Sequence, residues 1–279
     1  MFYSASELFI VTGSINNNSK DRWTVLAGWD TLALEITGST NDDAREMAEQ
    51  RAGEFVVWAK HQTAGRGRED RHWLGTEGCS LTFSVLIRPT EKEKEFINRF
   101  TALGALALTD LLKNEFKIEA EIKWPNDVLI SGKKVSGILS EITWHGSEFD
   151  SLILGMGINL KDEAFAQGVE LRHPATSLEA EGLKIVSTRD YLEKLLTSIR
   201  QRRQNLGTAQ FIEDWNQKLA YRGKFMPIKQ YQGKTEMLCP VSINADGSLL
   251  TRDQAGDWRI VQSAEFSSPS SSSGVSSSS

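Results

Sequence analysis

The chain has 279 residues, of which 32 are basic and 37 are acidic, and its net charge is −5. This charge argues against broad nucleic-acid binding, which needs a basic face, and two cysteines are too few for a disulfide framework. No apolar run is long enough to cross a bilayer, and the N-terminal residues resemble neither a secretory signal nor a mitochondrial presequence. The composition therefore predicts a soluble cytoplasmic protein with no nucleic-acid or membrane partner.

The N-terminal half is predicted to contain short strands and two helices. Residues 1–29 carry no pattern that assigns a structure. A helix is predicted at 39–53, because Ser39 or Thr40 can cap it, acidic residues fill its first turn, and Gly53 can end it. Apolar residues spaced three and four apart predict a second, longer helix. The other elements of this half are strands at 32–36, 54–60 and 79–89 and the long helix at 93–116.

The C-terminal half is predicted to begin with a strand meander and to end with a small β-rich domain. Adjacent antiparallel strands, without a βαβ alternation, indicate an α+β fold with a mixed or antiparallel sheet. The closing Ser-rich segment is of low complexity and is expected to be disordered. The elements are the meander at 121–160 with turns at 125–127, 131–133 and 145–147, helices at 188–206 and 208–220, and a barrel-like domain at 223–266 with turns at 232–233 and 245–247.

Two glycine-containing segments resemble parts of standard nucleotide-binding motifs, but neither completes such a motif. Gly155 and Gly157 follow a strand but lack the third glycine and the helix of a dinucleotide motif. Residues 233–235 resemble the end of a P-loop, yet Ile228 stands where the first glycine belongs. The glycines at 155 and 157 indicate either a strand end with a bulge or a place where a ligand passes close to the backbone. Histidines and cysteines lack metal-ligand spacing, and no G-x-S-x-G motif indicates a hydrolase.

An unusual segment, QTAGRGREDRHW, occupies residues 62–73. Its glycines give the backbone freedom, and its arginines offer forked donors that match carboxylate and phosphate oxygens. For GRGR alone, a solvated surface turn is the simpler interpretation. Arg71 and Trp73 favour a loop that closes over an anion, because a tryptophan in a polar loop needs a flat surface or a pocket to cover it.

Two further segments have both a structural and a functional interpretation. Lys123 alternates with Ile122 and Trp124, so it faces either solvent at a strand end or a polar cleft. The segment Ser39-Thr40-Asn41 caps a helix, and its hydroxyl and amide groups are also suited to a polar ligand.

Taken together, the motifs resemble those of the biotin protein ligases. STND, QTAGRGREDRHW, GCSLTFSVLIRP, KWPNDVLISGKKVSGILSE and GMGINL follow one another in this order, and the resemblance covers roughly residues 32–266. It implies a catalytic core like that of class II aminoacyl-tRNA synthetases and biotin–lipoate ligases, with an SH3-like C-terminal barrel. The implied division is an unassigned extension at 1–29, a catalytic domain at 30–221, a small β-barrel at 222–266 and a disordered tail at 267–279.

The resemblance also implies an activity and a set of site residues. Such ligases make biotinyl-5′-AMP from biotin and ATP with Mg²⁺, and transfer biotin to a lysine of a biotin carboxyl carrier domain, for example that of acetyl-CoA carboxylase. No metal ligand is assigned. The biotin-binding residues would be Ser39, Thr40, Asn41, Gln62, Arg66, Gly67, Arg68, Lys123, Gly137, Ile138 and Leu139. The nucleotide-binding residues would be Arg68, Arg71, Trp73, Asn126 and Asn159, and the catalytic residues Lys123, Arg66 and Arg68.

Alternatives stay open at this point. Ligation of lipoate or another acyl acid on the same scaffold is one, although the RR-x-SGGG pattern of the lipoate branch is absent. A biotin or adenylate binder without turnover is another. Only 38 residues precede Ser39, with no helix-turn-helix pattern and no basic face, so a ligase without operator binding or repressor activity is expected. The sequence distinguishes neither a monomer from a homodimer nor the carrier that is served.

Overall fold

The computed structural model describes residues 11–12, 23–68, 71–73, 75–145, 148–164, 174–230, 234–262 and 264–266. Most of the N-terminal extension lies outside the described residues. So do the predicted turn at 232–233, positions 146–147 of another predicted turn, and the Ser-rich tail.

Fourteen strands and five α-helices are described. The strands are β1 (Val11–Thr12), β2 (Trp23–Leu26), β3 (Trp29–Thr37), β4 (Phe55–Gln62), β5 (Ser80–Ile87), β6 (Glu121–Lys123), β7 (Asp127–Ile130), β8 (Lys133–His145), β9 (Glu148–Asn159), β10 (Met226–Gln230), β11 (Thr235–Ile243), β12 (Leu249–Asp253), β13 (Trp258–Val261) and β14 (Ala264–Phe266). The helices are α1 (Thr40–Ala48), α2 (Glu91–Lys94), α3 (Phe100–Phe116), α4 (Thr188–Arg203) and α5 (Ala209–Gln217), with 3₁₀ turns at Ile97–Arg99 and Asp162–Ala164.

The larger sheet has the strand order β1-β3-β4-β5-β9-β8-β7-β6, with β2 paired to β3. Strands β3 and β4 are parallel and joined by α1, and β1 is also parallel to β3, whereas the other pairs are antiparallel. The predicted α+β fold with a mixed sheet is confirmed. The sequence analysis did not expect the single βαβ unit, and it assigned nothing to the residues that form β1 and β2.

The two faces of this sheet carry different cores. Helix α3 covers one face, with α4 packed against it, and Phe83, Leu154 and Met156 lie in the main core on this face. Helix α1 covers part of the other face and packs on Val57 and Ile153 in a smaller core. This separation follows from strand alternation, since successive side chains project to opposite faces. Because α1 is short, it leaves the rest of its face open for a ligand site.

The C-terminal strands form a second, five-stranded antiparallel sheet in the order β13-β12-β11-β10-β14. It confirms the predicted small β domain. The indole N–H of Trp124 donates to the Gly247 carbonyl oxygen at 2.9 Å. The buried Arg99 guanidinium donates to the carbonyl oxygens of Ala245, at 2.7 Å, and Leu206, at 2.8 Å. Hydrogen bonds of this kind hold the small sheet against the rest of the chain.

The prediction that one helix spans residues 93–116 is wrong. Thr90 and Glu93 form a capping box, which begins the separate four-residue helix α2. The chain then makes a 3₁₀ turn at Ile97–Arg99 before α3 starts at Phe100. Glu93 also binds Arg203 of α4 at 2.7 Å, so its side chain serves a tertiary contact that apolar spacing cannot reveal.

The prediction that Gly53 ends the first helix is also wrong, because α1 ends at Ala48. The Arg88 guanidinium donates to the carbonyl oxygens of Ala48 and Arg51 at 2.8 and 2.9 Å. An arginine distant in sequence therefore satisfies carbonyl groups that the helix end leaves free. The two later helices also end earlier than predicted, at Arg203 and Gln217.

Candidate active site

The floor of the site is built by register across four strands. Lys123 on β6 pairs with Asp127 on β7, which pairs with Gly137 on β8, and Gly137 pairs with Gly157 on β9. Directly paired residues project to the same face of a sheet. The row therefore carries two charged side chains at one end and two bare backbone positions beside them. Gly155, two residues before Gly157, extends this bare surface along β9 towards α1.

The charged end holds two ammonium groups around one buried carboxylate. Lys123 is only 8% exposed and its Nζ lies 3.4 Å from Asp127 Oδ2, while Lys134 Nζ lies 2.7 Å from Asp127 Oδ1. Burial alone would raise the pKa of Asp127, but the positive charges of Lys134 and Lys123 outweigh it and lower that pKa below its ordinary value. Of the two orientations that its alternation left open, Lys123 therefore takes the one that faces the cleft, with its charge in a fixed place.

The opposite end is neutral and rich in hydrogen bonds. Gln62 Oε1 accepts from the Thr40 backbone N–H at 2.7 Å, and the Thr40 and Ser84 hydroxyl oxygens lie 2.7 Å apart. Ser84 Oγ donates to Asn41 Oδ1 at 2.5 Å, and Asn41 Nδ2 donates to Glu141 Oε2 at 2.6 Å. The Asn41 side chain fits here because a Cβ at Gly155 would lie 2.1 Å from its Oδ1.

Ser39 occupies the N-cap position of α1, but its side chain makes no capping hydrogen bond. The first free N–H group of the helix instead belongs to Thr40 and is satisfied by Gln62 from β4. The predicted capping role is therefore positional only, and the hydroxyl and amide groups of this segment face neighbouring strands and the cavity.

The arginine segment folds back on itself as a short hairpin. Arg66 bridges to His72, the Gly67 N–H donates to the Arg71 carbonyl at 2.7 Å, and the Trp73 N–H donates to the Gly65 carbonyl at 2.8 Å. A Cβ at Gly65 would lie 2.8 Å from the Trp73 carbonyl oxygen, so this position has room only for glycine. The simple solvated turn is thus not what the residues form.

Trp73 covers the bare glycine surface. A Cβ at Gly157 would lie 2.4 to 2.7 Å from three atoms of its ring, and a Cβ at Gly137 would lie 3.2 Å from Trp73 Cζ3. Lys134 Nζ lies 5.8 Å from the ring centroid, within reach of a cation–π contact. Gly137 and Gly157 therefore provide the flat surface that a tryptophan in a polar loop requires. The strand-bulge interpretation of Gly155 and Gly157 is wrong, since both lie within regular pairing of β9.

One cavity of about 130 Å³ lies among these parts. Every residue that the sequence analysis assigned to biotin lines it, and so does every residue assigned to the nucleotide except Asn159. Asn159 is buried, and its Nδ2 donates to the Thr176 carbonyl at 3.0 Å, so it holds a neighbouring loop. The side chain of Ile138 belongs to the main core on the far face. Asn126 Nδ2 donates to the Ile138 carbonyl at 3.0 Å, which ties the turn before β7 to β8.

A wider groove of about 700 Å³ adjoins the cavity at Arg66 and Arg68. It runs between the outer part of β8, the start of α3 near Thr101, and the loop at Gly247 of the small sheet. The cavity therefore opens towards a surface shared by the two sheets.

Comparison with known proteins agrees with this geometry. Residues 33–159 match the model of the biotin/lipoate A/B protein ligase family. A biotin--[acetyl-CoA-carboxylase] ligase of Paracoccus denitrificans is 32% identical over 237 residues, which cover 83% of this chain and 98% of that protein. The chain belongs to the biotin protein ligase family.

Other members of the family are similar over different lengths. The bifunctional ligase/repressor BirA of Bacillus spizizenii is 37% identical over 164 residues, but these cover 58% of this chain and only 50% of that protein. The biotin protein ligase of Aquifex aeolicus, solved with biotin and ATP, superposes with a TM-score of 0.70 at 28% identity, covering 85% of this chain and 97% of that one.

The sequence analysis did not identify several residues that lie in or beside the cavity. Asp127, Lys134 and Phe266 line the cavity, and Ser84 and Glu141 lie behind it, where each hydrogen-bonds to Asn41. The predicted turn at 125–127 could have indicated Asp127, because residues that pair across a hairpin turn face the same side of the sheet, and Asp127 pairs with Lys123. No local sequence pattern indicates Ser84, because its role depends on which helix packs against its strand.

In the part of the chain that the structure describes, no helix is long and apolar enough to cross a membrane. Among the same residues, no group of three or more His, Cys, Asp or Glu side chains could hold a metal ion.

Proposed function

We propose that this chain is an ATP-dependent ligase that forms biotinyl-5′-AMP and transfers biotin to a lysine of a biotin carboxyl carrier domain. The observation that carries the proposal is the polarity of the cavity. One end offers the fixed positive charge of Lys123, and the other offers the neutral groups of Thr40, Asn41 and Gln62, with a flat glycine floor between them.

Biotin has a matching polarity, with a carboxylate at one end, a cyclic urea at the other and an apolar body between them. Only one orientation puts its carboxylate near Lys123 and its urea near the hydroxyl and amide groups. The reverse orientation would leave a buried ammonium beside the urea and a carboxylate among neutral groups, which costs several kcal/mol. The same argument disfavours lipoate, whose dithiolane ring has no hydrogen-bonding groups for the neutral end.

In the first step, a carboxylate oxygen of biotin attacks the α-phosphorus of ATP, and the bond to the leaving pyrophosphate breaks. The carboxylate and the phosphate are both anions, so fixed cations must offset their repulsion and the charge that develops at phosphorus. Lys123 supplies a charge that is already desolvated, and Arg66 and Arg68 supply forked donors from the hairpin. The product is the mixed anhydride biotinyl-5′-AMP.

In the second step, the uncharged amine of the carrier lysine attacks the carbonyl carbon of the anhydride. The bond to the AMP oxygen breaks, AMP leaves and the new amide nitrogen loses a proton. The groove beside Arg66 and Arg68 supports this step, because it gives a peptide segment a route to the cavity. The hairpin limits water access and so protects the anhydride from hydrolysis before the carrier arrives.

Magnesium enters this proposal with the nucleotide. In the described residues, the one carboxylate on the cavity wall is Asp127, and it is already paired with Lys123 and Lys134. These residues therefore do not build a protein cage for Mg²⁺. Mg²⁺ is commonly bound through substrate phosphates with few protein ligands, which fits an ion delivered as the ATP complex.

The test is transfer of labelled biotin to a carrier domain in the presence of MgATP. We expect labelling with the wild-type chain, a loss of about 10²-fold or more with Lys123→Gln, and no change with Lys194→Gln, which alters an exposed pair on α4. No label on the carrier, with biotin still bound, would favour a binder without turnover. Equal transfer of lipoate would contradict the proposed substrate.

Three further expectations stay predictions. The proposed domain boundary between residues 221 and 222 places the start of the small β domain after α5 and the turn that follows it. The absence of operator binding predicts no shift of DNA from a biotin-operon promoter at any biotin concentration. Localisation in the cytoplasm predicts that the chain is found with the soluble intracellular fraction.

A further inference from the structure

We propose that Glu141 is a positioning residue that sets the direction of the hydrogen bonds at the neutral end of the cavity, and thereby selects a ligand that donates an N–H group there. Glu141 lines the adjoining groove rather than the cavity itself. The inference rests on the proposed function, since the ligand in question is the urea of biotin.

The first step is the orientation of Asn41. Its side-chain amide has one acceptor end and one donor end, and the two atoms are interchangeable in shape. Glu141 Oε2 lies 2.6 Å from Asn41 Nδ2, and a carboxylate has no proton to donate. The NH₂ group must therefore face Glu141, and Asn41 Oδ1 must face Ser84.

The second step carries this direction to Thr40. The Ser84 hydroxyl donates its single proton to Asn41 Oδ1 at 2.5 Å. In the 2.7 Å contact between Ser84 and Thr40 either oxygen is close enough to be the donor, but the Ser84 proton is already used. Thr40 must then donate to Ser84. Gln62 Oε1 is satisfied by the Thr40 backbone N–H, so its weaker 3.1 Å contact with the Thr40 hydroxyl does not need that proton.

The consequence is a fixed polarity on the cavity wall. With its proton turned towards Ser84, Thr40 offers a ligand in the cavity only lone pairs. A cyclic urea fits this pattern because its ring N–H groups donate. In an analogue with a ring oxygen in place of such an N–H, the ring oxygen and the Thr40 hydroxyl oxygen would face each other with lone pairs only, and no hydrogen bond would form.

Glu141 also contacts two arginines, and these contacts must be separated from its effect on Asn41. Arg66 Nη2 lies 3.0 Å from Glu141 Oε2 and 2.6 Å from Asp42 Oδ1, and Arg45 Nη2 lies 2.9 Å from Glu141 Oε1. Asp42 shares Arg66 with Glu141 but has no contact with Asn41 among those described. Asp42→Asn is therefore the matched control for loosening Arg66 alone.

The experiment compares binding of biotin with binding of two cyclic carbamate analogues, each with oxygen at one of the two ring nitrogens. Glu141→Gln keeps the shape but allows Asn41 to turn over, so Thr40 regains a proton for the ligand. We expect the preference for biotin over the better carbamate to fall at least about tenfold in Glu141→Gln, the effect of pairing or unpairing one buried polar group, and to stay within about twofold of wild type in Asp42→Asn.

A charge-swapped double variant provides the rescue. In Asn41→Asp/Glu141→Gln, residue 41 again presents an acceptor to Ser84 and residue 141 can donate to residue 41, so the Ser84 proton is directed as before. We expect this double variant to regain the wild-type preference. An unchanged preference in Glu141→Gln, an equal fall in Asp42→Asn, or no recovery in the double variant would each overturn the inference while wild-type biotin transfer upholds the proposed function. If wild type binds no biotin, both fall.

Discussion

The cavity has two cationic sides, which differ in how their charges are held. Lys123 lies on a strand, is 8% exposed and shares the buried Asp127 with Lys134. Arg66 lies on a hairpin, its side chain is 37% exposed, and its partners are the more exposed carboxylates of Asp42 and Glu141. Both supply positive charge to the same space, but only one of them is fixed by the sheet.

The difference teaches that one site can combine a permanent charge with a movable one. A buried pair is costly to break because an uncompensated charge would be left in a poorly solvated place. Surface pairs contribute only about 0–1 kcal/mol, so an arriving anion can replace them. Lys123 is therefore suited to stabilising charge without reorganisation, whereas the hairpin of Arg66 is suited to closing after the substrates have bound.

The sharpest test of this comparison neutralises each cation in the same way. Lys123→Gln should lower the rate of adenylate formation about 10²- to 10³-fold, the range seen when one preorganised electrostatic group is removed. Arg66→Gln should lower it about tenfold, because the remaining donors of the hairpin can re-form around the ligand. Pyrophosphate exchange measures both rates. Equal losses would mean that the two sides do not differ in the way their burial indicates.

Asp127→Asn tests whether the buried cluster is fixed by its carboxylate. It removes the carboxylate that lies between the two ammonium groups, and we expect the free energy of unfolding to fall by about 3 kcal/mol. Asp30→Asn is the control, since Asp30 is half-exposed and pairs only at the surface with Arg51; it should cost under about 0.5 kcal/mol. Urea denaturation at neutral pH measures both.

The same cluster predicts a pH dependence. The pKa of Asp127 is lower in the folded chain than its ordinary value of 3.8, so its stabilisation is complete above that value. It is lost as the pH falls through the lower, folded-state value, because the unfolded chain then binds the proton more readily. Wild type should therefore lose stability in this acid window more steeply than Asp127→Asn. Parallel curves for the two proteins would contradict a lowered pKa.

Local patterns predicted those parts of the molecule whose causes are local. Alternation located the strands and left Lys123 facing either solvent or a cleft. The resemblance of the motifs containing Arg66, Gly137 and Trp73 to those of biotin protein ligases indicated a shared site before any contact was known. Hairpin turns such as the one at 131–133 follow from residues that accept positive φ, as Ser131 and Gly132 do. These features depend on few neighbouring residues, and most of those neighbours are also close in the sequence.

The features that escaped prediction depend on distant parts of the chain. Helix α1 ends where Arg88 reaches its carbonyl groups, and the break before α3 coincides with Arg99 binding the small sheet. Asn159, which the resemblance assigned to the nucleotide, also supports a loop through its hydrogen bond to Thr176. Glu141 lies 100 residues from Asn41, and only the sheet register brings the two together. Strand register and helix placement are set by tertiary contacts, which residue propensity and residue spacing do not encode.

The glycine floor allows a smaller test within one row of the sheet. Gly157→Ala places a methyl group 2.4 Å from the Trp73 ring, whereas Gly137→Ala meets the flexible end of Lys134 at 3.0 Å and the ring edge at 3.2 Å. We expect Gly157→Ala to displace Trp73 and raise the KM for ATP about tenfold, an overpacking cost of 1–3 kcal/mol. Gly137→Ala should change it by under about threefold. Similar values for both would show that Trp73 does not need this surface during turnover.

The smallest expected effect concerns Arg45, at the edge of the movable side. Its guanidinium contacts Glu141 Oε1 and Asp42, both at 2.9 Å, and its side chain is 41% exposed. Arg45→Gln should therefore weaken biotin binding by under about twofold, since exposed pairs contribute little and Asn41 and Arg66 still hold the other oxygen of Glu141. Titration calorimetry would detect a larger loss. A tenfold loss would mean that the ring of ion pairs around Glu141, rather than its hydrogen bond to Asn41, organises the neutral end of the cavity.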